Sequence, residues 1–433
     1  MSRAFFRFWF IFVPYVGLLY LSLWLSIRIR YGGQLTAVQS QIHYQTFSLV
    51  FVFWLLVFFI HGLFEIQTLR RYTSLVFNLI AAMVVNLLVA ISYFYFQPNL
   101  ILTPRRFLLI LIGVAFVLLL VWHLTVKYFL KNRLVEELYL FSVNNELAEL
   151  EEEIKQHAFL GYKVLGHLNE ASLERAKFMG GTGIILSDDL KTRPEVISKF
   201  YQLRTLGVRF YNHKEFYEQM LRRVYLSQLN EIWFLENINY RENLFYNLVK
   251  KIVDLVFGIF SFGVFILTFP VIALLIKLTS AGPLFFVQQR VGKNGQPFKV
   301  YKYRTMSGGS TNTWTSPNDP RITRVGKFLR MTHLDELPQF VNLLAGSMSL
   351  VGPRPEQAHI VGQMKQQIPF YDERHVVKPG ITGWAQLNIY AGSVEETKLK
   401  LQYDLYYIKR RSFFFDLEII LKTVYYVFTW QGR

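Results

Sequence analysis

Four long apolar stretches dominate the first third of the chain, and polar residues separate them only briefly. They run approximately over residues 5–27, 44–64, 73–96 and 106–126. A helix needs about 20 apolar residues to cross the hydrocarbon core of a bilayer. The pattern therefore predicts a bundle of four transmembrane helices over residues 1–133.

Basic residues flank these stretches unequally. With the N-terminus inside, the inner ends carry Arg3, Arg7, Arg70, Arg71, Lys127, Lys131 and Arg133. The outer ends carry fewer: Arg28, Arg30, Arg105 and Arg106. Because Lys and Arg accumulate in cytoplasmic loops, this bias predicts cytoplasmic termini for the bundle.

Residues 134–240 have a different pattern, in which short apolar runs alternate with polar helical stretches. The apolar runs lie at 138–143, 162–168, 183–187 and 208–211, and helical patterns lie at 145–158 and 190–205. Strands that alternate with helices predict a small parallel α/β domain. Its first strand–helix turn, FSVNNELAEL, lacks the glycines that a dinucleotide site needs for a tight turn and close pyrophosphate approach. We therefore expect a degenerate Rossmann-like module that serves regulation or assembly.

A fifth apolar run begins the last part of the chain, residues 241–433, and reads KKIVDLVFGIFSFGVFILTFPVIALLIKL. Its length alone favours a fifth transmembrane helix. However, Asp254 lies inside the run and is costly in a lipid-exposed span, and Pro270 removes a backbone hydrogen bond and would kink the helix. A re-entrant helix over about 250–278, which enters and leaves on the cytoplasmic face, accommodates both residues.

A last apolar pattern, SFFFDLEIILKTVYYVFTW, covers residues 412–430. Its apolar residues are spaced around Asp416, Glu418 and Lys422. The pattern fits an amphipathic helix in the membrane interface and fits a packed core helix equally well.

Composition supports a membrane protein and narrows the choice of partners. Hydrophobic residues make up 52% of the 433 residues, above the average for soluble proteins, and the formal net charge is +17. A basic protein of this kind suits nucleic acid or anionic lipid, and the apolar content favours lipid over nucleic acid. The chain has no cysteine, which excludes disulfides and thiol catalysis.

Candidate chemistry is densest in residues 320–355, PRITRVGKFLRMTHLDELPQFVNLLAGSMSLVGPRP. Asp335 and Glu336 are adjacent there, among the basic residues Arg321, Arg324, Lys327, Arg330, His333 and Arg354. Two adjacent carboxylates repel each other, so burial of both as ions requires a nearby cation. A divalent metal or an arginine cluster meets this need. The segment predicts chemistry on a phosphorylated substrate at a membrane surface.

The basic residues around this pair are candidates for phosphate binding. Arginine suits phosphate because its planar fork donates two parallel hydrogen bonds, and we assign Arg330 to a diphosphate. Pro353 and Pro355 restrict the backbone on either side of Arg354 and can fix its direction. Lys302 and Arg304, in KYRTM, are further candidates.

Residues 241–433 contain five motif blocks in order: KKIVD (250–254), SAGPLFFVQQRVGKNGQPFKVYKYRTM (280–306), the 320–355 segment, KPGITGWAQLN (378–388) and YDLYYIKRRSFFFD (403–416). Together these blocks resemble the bacterial sugar transferase family, the monotopic phosphoglycosyl transferases. Four spans followed by an α/β module resemble the polytopic branch of the family, which initiates exopolysaccharide or O-antigen repeats on undecaprenyl phosphate. The implied fold is a four-span membrane α-helical bundle (1–133), a Rossmann-like α/β module (134–240) and an α-rich monotopic catalytic domain with a re-entrant helix (241–433).

The resemblance implies that a sugar 1-phosphate passes from a UDP-sugar to undecaprenyl phosphate and that UMP is released. By this resemblance Asp335 is the nucleophile and forms an aspartyl-phosphosugar, Arg354 contacts the nucleotide, and Gln386 helps to line the active site. Glu336 would hold Mg²⁺, which prefers one or two carboxylates plus phosphate oxygens.

The resemblance also implies a location and partners. We expect a multi-pass protein of the bacterial inner membrane with its catalytic domain on the cytoplasmic face. A simple crossing by residues 250–278 would separate that domain from cytosolic nucleotide sugars. The expected partners are a UDP-sugar, undecaprenyl phosphate and inner-membrane lipid, without nucleic acid, and a homodimer is compatible with the sequence.

Three residues at the head of the re-entrant helix have expected membrane roles. Lys250 and Lys251 would meet anionic headgroups, at about 1 kcal/mol each, and Asp254 would anchor the helix by pairing with a cation. One departure from the family pattern lies further along the helix, where Phe269 replaces a common Ser before Pro270.

Two other function classes remain as alternatives. A membrane-anchored nucleotide-sugar dehydratase needs a glycine-rich loop and a Tyr-x-x-x-Lys pair, and the chain has such a pair, Tyr246 and Lys250, without the loop. A non-enzymatic scaffold of polysaccharide assembly would use the four spans but would not need Asp335, Glu336 and Arg354. No motif identifies the sugar, because related sugars differ by groups that only a few pocket contacts distinguish.

Overall fold

A computed structural model describes residues 3–32, 36–64, 72–96, 104–130, 135–141, 147–157, 161–169, 182–187, 194–203, 205, 207–226, 229–238, 243–307, 319–389 and 392–428. The chain divides into two compact units, Met1–His213 and Lys214–Arg433. The three-part division expected from the sequence stays a prediction.

The first unit begins with four long apolar helices that form one core. They are α1 (Arg3–Tyr31), α2 (Ala37–Ile60), α3 (Tyr72–Tyr95) and α4 (Pro104–Leu130). Helix α1 packs against α4, and α3 packs against both α2 and α4. Each helix contains a segment long and apolar enough to cross a membrane. The basic residues Arg70, Arg71, Lys131 and Arg133 lie outside the described residues.

Two groups of polar residues in this bundle have hydrogen-bond partners within it. Helix α2 begins at a capping box, in which the Thr36 hydroxyl accepts a hydrogen bond from the Gln39 amide and the Gln39 side chain accepts one from the Thr36 amide. In the bundle core, the Tyr15 hydroxyl is hydrogen-bonded to His123 Nε2. Buried polar groups without such partners would be costly in an apolar bundle.

The rest of the first unit contains a small parallel sheet. Its strands are β1 (Glu136–Phe141), β2 (Tyr162–Leu168), β3 (Gly183–Leu186) and β4 (Arg209–Asn212), in the order β2–β1–β3–β4. Helices α5 (Ala148–Gln156) and α6 (Pro194–Leu203) lie between strands in the sequence. The predicted parallel sheet is confirmed, and each strand overlaps its predicted run. Residues 142–146 of the glycine-free turn lie outside the described residues.

The second unit is mostly helical, with two small two-stranded sheets. Its first elements are α7 (His213–Leu221), α8 (Glu231–Asn237), α9 (Leu244–Thr279), and the antiparallel hairpin β5 (Phe285–Val291) and β6 (Pro297–Tyr303). They are followed by α10 (Arg324–Met331), a 3₁₀ turn (Leu334–Gln339), α11 (Phe340–Leu344), β7 (Ser349–Val351) and α12 (Ala358–Gln367). The last elements are β8 (Gly380–Thr382), which pairs with β7, then α13 (Trp384–Asn388), α14 (Val394–Arg410) and α15 (Phe413–Phe428).

Helix α9 has 36 residues and is the fifth helix, among those described, that is long and apolar enough to cross a membrane. One face of α9 packs against the rest of the second unit. Phe262 and Phe265 contact Phe340, and Ile272 and Ile276 join a small core with Tyr303. Most of the remaining surface of α9 is exposed and apolar. The four-span count and the re-entrant course of α9 stay predictions.

Residues 214–226 and 229–238 belong to a segment, here called the strap, that packs against α14 and α15. Glu218 pairs with Lys409, Arg222 makes a two-pronged ion pair with Glu418, and the Val224 amide donates to the Gln402 carbonyl. Trp233 and Phe234 in the strap are buried in the main core of the second unit. The sequence-based boundary at residue 240 lies beyond this segment.

Helix α15 combines both features that its sequence pattern left open. Phe415 and Ile419 are buried in the core of the second unit, whereas Phe413 and Phe414 are exposed.

Candidate active site

The Asp335–Glu336 pair lies in the 3₁₀ turn Leu334–Gln339, here called the catalytic turn. Helix α10 leads into it, and His333 ends that approach in a left-handed conformation with φ 55°. Residues three apart lie on the same side of a 3₁₀ helix, so Leu334 and Leu337 both pack into the core around Tyr303 and Leu329. The two intervening carboxylates are thereby kept out of the apolar core.

A glycine allows α10 to pack closely behind this turn. A Cβ on Gly326 would lie 2.0 Å from the Thr305 carbonyl oxygen, so that any other residue would push the helix away. Thr323 caps the helix by accepting a hydrogen bond from the Gly326 amide. The close approach brings Arg330 near β6, where its Nε donates to Thr305 Oγ1 at 2.9 Å.

Glu336 is held by two cations. Its Oε1 accepts a hydrogen bond from Lys302 Nζ at 2.6 Å and another from Arg354 Nη2 at 3.0 Å. Burial works to raise the pKa of Glu336, but Lys302 and Arg354 outweigh it and hold that pKa well below its usual range. Glu336 is therefore a fixed negative charge at neutral pH.

Asp335 has the opposite environment. It is buried, with 8% of its surface exposed, and within the described part of the chain its carboxylate accepts no hydrogen bond. Burial and then the negative charge of Glu336 raise the pKa of Asp335, and Lys302, His333 and Arg330 oppose that rise. A desolvated carboxylate without donors is more reactive than a solvated one, which suits a nucleophile.

Arg354 reaches the turn from the segment that follows β7. This segment lies tightly against β8: a Cβ on Gly352 would be 2.4 Å from the Lys378 carbonyl oxygen, and one on Gly380 would be 2.1 Å from the Gly352 nitrogen. The Arg354 side chain is still 42% exposed. Its guanidinium therefore pairs with Glu336 while donors remain accessible to a ligand. Pro353 lines a small cavity beside it.

Two predicted substrate-binding residues have other partners. Arg304 Nη2 donates to the Ser280 carbonyl at 2.7 Å, which holds the turn after α9. Gln386 Nε2 donates to the Ile381 carbonyl, and no hydrogen bond joins Gln386 to the catalytic turn among the described residues. The structure thus brings together Asp335, Glu336, Lys302 and Arg354, with Arg330 close enough to act on Asp335 electrostatically.

The residues predicted at the head of the re-entrant helix form an anchor. Lys250 Nζ donates to Asp416 at 2.7 Å, to Tyr407 and to the Val351 carbonyl. Asp254 Oδ1 accepts hydrogen bonds from Ser349 Oγ at 2.9 Å and from the Leu350 amide at 2.7 Å. Asp254 is thus held by neutral donors rather than by the expected cation. Lys251 is exposed, and Pro270 lies inside α9.

The Tyr246–Lys250 pair is part of the same anchor. The Tyr246 hydroxyl donates to Asp416 Oδ2 at 2.9 Å, next to the contact of Lys250 with that oxygen. Both side chains are therefore used to attach α9 to α15, which argues against a dehydratase role for the pair.

Sequence reasoning missed a buried set of charges behind Arg354. Arg290 lines a small cavity of about 20 Å³ with Lys302 and Arg354. Behind it, Arg374 pairs with Asp404, and Lys400 pairs with Glu356. Arg290 and Asp404 lie in two of the blocks that carry the family resemblance, so their positions were visible in the sequence although their partners were not.

The donor set at the turn fits a magnesium ion bound together with phosphate. Mg²⁺ needs only one or two protein carboxylates when substrate phosphates supply further oxygens, and Asp335 and the second oxygen of Glu336 accept no hydrogen bond from described residues. The described residues contain no cluster of three or more His, Cys, Asp or Glu side chains that could bind a metal ion without the substrate.

Comparison with known proteins defines the class. The family model described as bacterial sugar transferase matches residues 245–430. The exopolysaccharide production protein PSS of Rhizobium leguminosarum bv. phaseoli is 43% identical over 166 residues, which cover 35% of this chain and 82% of that protein. The chain therefore belongs to the bacterial sugar transferase family.

Two longer relatives carry more specific names. The UDP-N-acetylgalactosamine-undecaprenyl-phosphate N-acetylgalactosaminephosphotransferase of Aeromonas hydrophila is 40% identical over 226 residues, 51% of this chain and 53% of that protein. The UDP-glucose:undecaprenyl-phosphate glucose-1-phosphate transferase of Escherichia coli K12 is 48% identical over 160 residues, 36% of this chain and 34% of that protein. The chain thus matches about half or less of the length of these two relatives.

Proposed function

We propose that this protein transfers a sugar 1-phosphate from a UDP-sugar to undecaprenyl phosphate and releases UMP, as the first membrane step of exopolysaccharide, capsule or O-antigen synthesis. The observation that carries the proposal is the contrast within the catalytic turn. Asp335 is buried and accepts no hydrogen bond from any residue that the structure describes, whereas the adjacent Glu336 is fixed by Lys302 and Arg354. The names of the relatives support the substrate classes.

In the first step, a carboxylate oxygen of Asp335 attacks the phosphorus that carries the sugar. The bond from that phosphorus to the bridging oxygen breaks, UMP leaves with the bond's electron pair, and an aspartyl-phosphosugar remains. Lys302, Arg330 and Arg354 are placed to offset charge on the diphosphate, where preorganised cations lower the barrier. Mg²⁺, held by Glu336 and phosphate oxygens, would add charge neutralisation at the leaving group.

In the second step, a phosphate oxygen of undecaprenyl phosphate attacks the same phosphorus. The bond to Asp335 breaks, the carboxylate is restored, and undecaprenyl diphosphosugar is the product. Division of one difficult transfer into two displacements is the general advantage of covalent catalysis.

The course of α9 supports a position on one face of the membrane. The residues that contact the rest of the second unit extend from Lys250 to Ile276, about 40 Å of helix at 1.5 Å per residue. A simple span of the roughly 30 Å hydrocarbon core would have lipid around its middle, whereas Phe262 and Phe265 of α9 contact Phe340. We therefore propose that α9 is a re-entrant helix. We further propose that the catalytic domain lies on the cytoplasmic face of the inner membrane, where cytosolic nucleotide sugars can reach it.

The activity is tested by UMP release from a panel of UDP-sugars, with detergent-solubilised protein, Mg²⁺ and undecaprenyl phosphate. We expect release with at least one sugar, and its loss in the presence of EDTA. Asp335→Asn is the matched control, because it removes only the nucleophilic charge. If folded protein released no UMP from any sugar in the panel, the scaffold alternative would replace this proposal.

The placement of α9 is tested by cysteine labelling from the periplasm, since the chain has no cysteine of its own. Glu395 is highly exposed, and Glu395→Cys should resist an impermeant reagent until the membrane is opened. Arg30→Cys, at the predicted outer end of α1, is the control that should be labelled in intact spheroplasts. Labelling of both positions in intact spheroplasts would show that α9 crosses the membrane.

A further inference from the structure

The main chain that carries Arg354 is held from behind by three successive contacts. Arg374 Nη2 donates to the Arg354 carbonyl at 3.1 Å, Arg290 Nη1 donates to the Pro355 carbonyl at 3.2 Å, and the Val291 amide donates to the Glu356 carbonyl at 2.9 Å. Pro353 and Pro355 leave the backbone on either side of Arg354 little freedom. These contacts therefore fix the position of the Arg354 Cα, from which the side chain extends. From that point its guanidinium reaches Glu336.

Arg374 is the most constrained member of this set. It is 2% exposed, and its Nε and Nη2 both donate to Asp404 Oδ2, at 3.0 and 2.7 Å. Its Nη1 donates to the Tyr371 hydroxyl at 2.8 Å. Two sides of the guanidinium are therefore held by Asp404 and Tyr371. Among its bonds to described residues, the one from Nη2 to the Arg354 carbonyl extends toward the active site.

Stability alone does not explain this arrangement. Burial of an ion pair is expensive, and a well-packed apolar pair of similar volume is often as stable or more so. An apolar pair would leave the Arg354 carbonyl without its donor. A lysine at position 374 would also fail, because a single ammonium lacks the planar fork that serves Asp404, Tyr371 and Arg354 at once.

We propose that Arg374 is a positioning residue for the reaction: held by Asp404 and Tyr371, it fixes the main chain of Arg354 so that Arg354 reaches Glu336 and the diphosphate of the donor substrate. Arg374 acts only through Arg354 and does not touch the substrate. The identity of the ligand rests on the proposed function, whereas the positioning of the 353–356 segment does not.

The test is a double-mutant cycle on the full-length protein with Arg374→Lys, Arg354→Gln and the combined variant. Arg374→Lys should raise KM for the UDP-sugar about tenfold and change kcat less, because it loosens a binding group. In the Arg354→Gln background, Arg374→Lys should have no further effect. Such non-additivity is expected when one residue acts through another.

Lys409→Gln is the matched control for a merely structural effect. Lys409 forms an ion pair with Glu218 in the same unit, and among the described residues no hydrogen bond or ion pair joins either side chain to residues 353–356. Lys409→Gln should lower the unfolding midpoint, as Arg374→Lys does. It should leave KM unchanged both in the otherwise wild-type protein and in the Arg354→Gln variant. If Arg374→Lys instead added its full effect to that of Arg354→Gln, or changed KM no more than Lys409→Gln does, the positioning role would be wrong.

Hydrogen exchange separates this inference from the proposed function. In Arg374→Lys, the amides of the peptide that spans residues 350–357 should exchange faster than in wild type or in Lys409→Gln, with no substrate present. Unchanged exchange in that peptide would overturn the inference even if UMP release were normal. If wild-type protein released no UMP, the proposed function would fail, and the exchange result would still decide whether Arg374 positions the segment.

Discussion

Two regions of the second unit, the head of α9 and the catalytic turn, each bury an aspartate to the same degree. Asp254 is 7% exposed and Asp335 is 8% exposed. Asp254 accepts hydrogen bonds from Ser349 Oγ and from the Leu350 amide, whereas Asp335 accepts none from the described residues. The two aspartates are therefore equally buried, but they differ in the number of hydrogen-bond donors that contact them.

This difference separates a structural carboxylate from a reactive one. A buried polar group normally finds hydrogen-bond partners because leaving it without them is costly. At Asp254 the partners connect α9 to β7, so its hydrogen bonds stabilise the fold. At Asp335 the donors go to the neighbour, Glu336, so the destabilised carboxylate is available for reaction. Substitutions in the two regions should accordingly have opposite consequences.

The largest effect is expected from Asp335→Asn, which should lower UMP release at least about a thousandfold, since removal of a nucleophile commonly costs this much or more. Its thermal stability should equal or exceed that of wild type, because the substitution removes a buried charge and breaks no hydrogen bond. Turnover assays and thermal unfolding on the same preparation measure both. Activity above a tenth of wild type would contradict the assignment.

Asp254→Ala should have the converse phenotype. It leaves the Leu350 amide and the Ser349 hydroxyl without their acceptor, at a cost of about 2–3 kcal/mol in the free energy of unfolding, while turnover per folded molecule stays close to wild type. Chemical denaturation combined with active-site titration measures the two quantities. Asp254→Asn is the control, because it keeps an acceptor oxygen and should lose less stability. A large loss of turnover without a loss of stability would give Asp254 a role in the reaction.

A smaller effect should follow from Lys302→Gln, which removes one cation from beside the catalytic turn. The pKa of Asp335 is raised by burial and by Glu336, and Lys302 opposes that rise. Without this cation the pKa rises further, so the acid limb of the pH–activity profile should move to higher pH. Lys251→Gln, at an exposed position in α9, should leave the limb in place. An unchanged acid limb in Lys302→Gln would mean that Asp335 does not control it.

The smallest effect concerns a buried base, His375, whose Nδ1 lies 3.4 Å from Asp372. Burial, and then the charge of Arg374, lowers the pKa of His375 to about 4 from 6.5. Because the folded state binds a proton less readily than the unfolded state, its contribution to stability is present above pH 6.5 and is lost as the pH falls through about 4, by at most about 1.4 kcal/mol per pH unit. His375→Gln should therefore lose less unfolding free energy between pH 7 and pH 5 than wild type. An equal loss would show that His375 is not the group responsible.

The sequence anticipated features that depend on local pattern. Apolar runs of sufficient length predicted the helices of the first unit, and alternating short runs predicted the parallel sheet, since both depend on neighbours in the chain. The block around Asp335 and Glu336 also led to Arg354, which the structure brings to Glu336. The pairing of Arg374 with Asp404, and of Arg374 with the Arg354 carbonyl, had no local signal, because it joins residues 20 to 30 positions apart across different elements. The partners of the strap were hidden for the same reason.

The contacts of the strap also have a consequence for how the protein folds during its synthesis. Tyr217 bonds Gln402, and Arg222 pairs with Glu418, partners that are 185 and 196 positions later in the chain. At about 5–20 residues per second, a ribosome needs roughly 10–40 s to synthesise the intervening residues. During that interval Trp233 and Phe234 have no core in which to pack. Membrane insertion of α9 thus begins before its domain can close, and we expect a cell that makes this protein rapidly to depend on chaperones that shield the emerging strap.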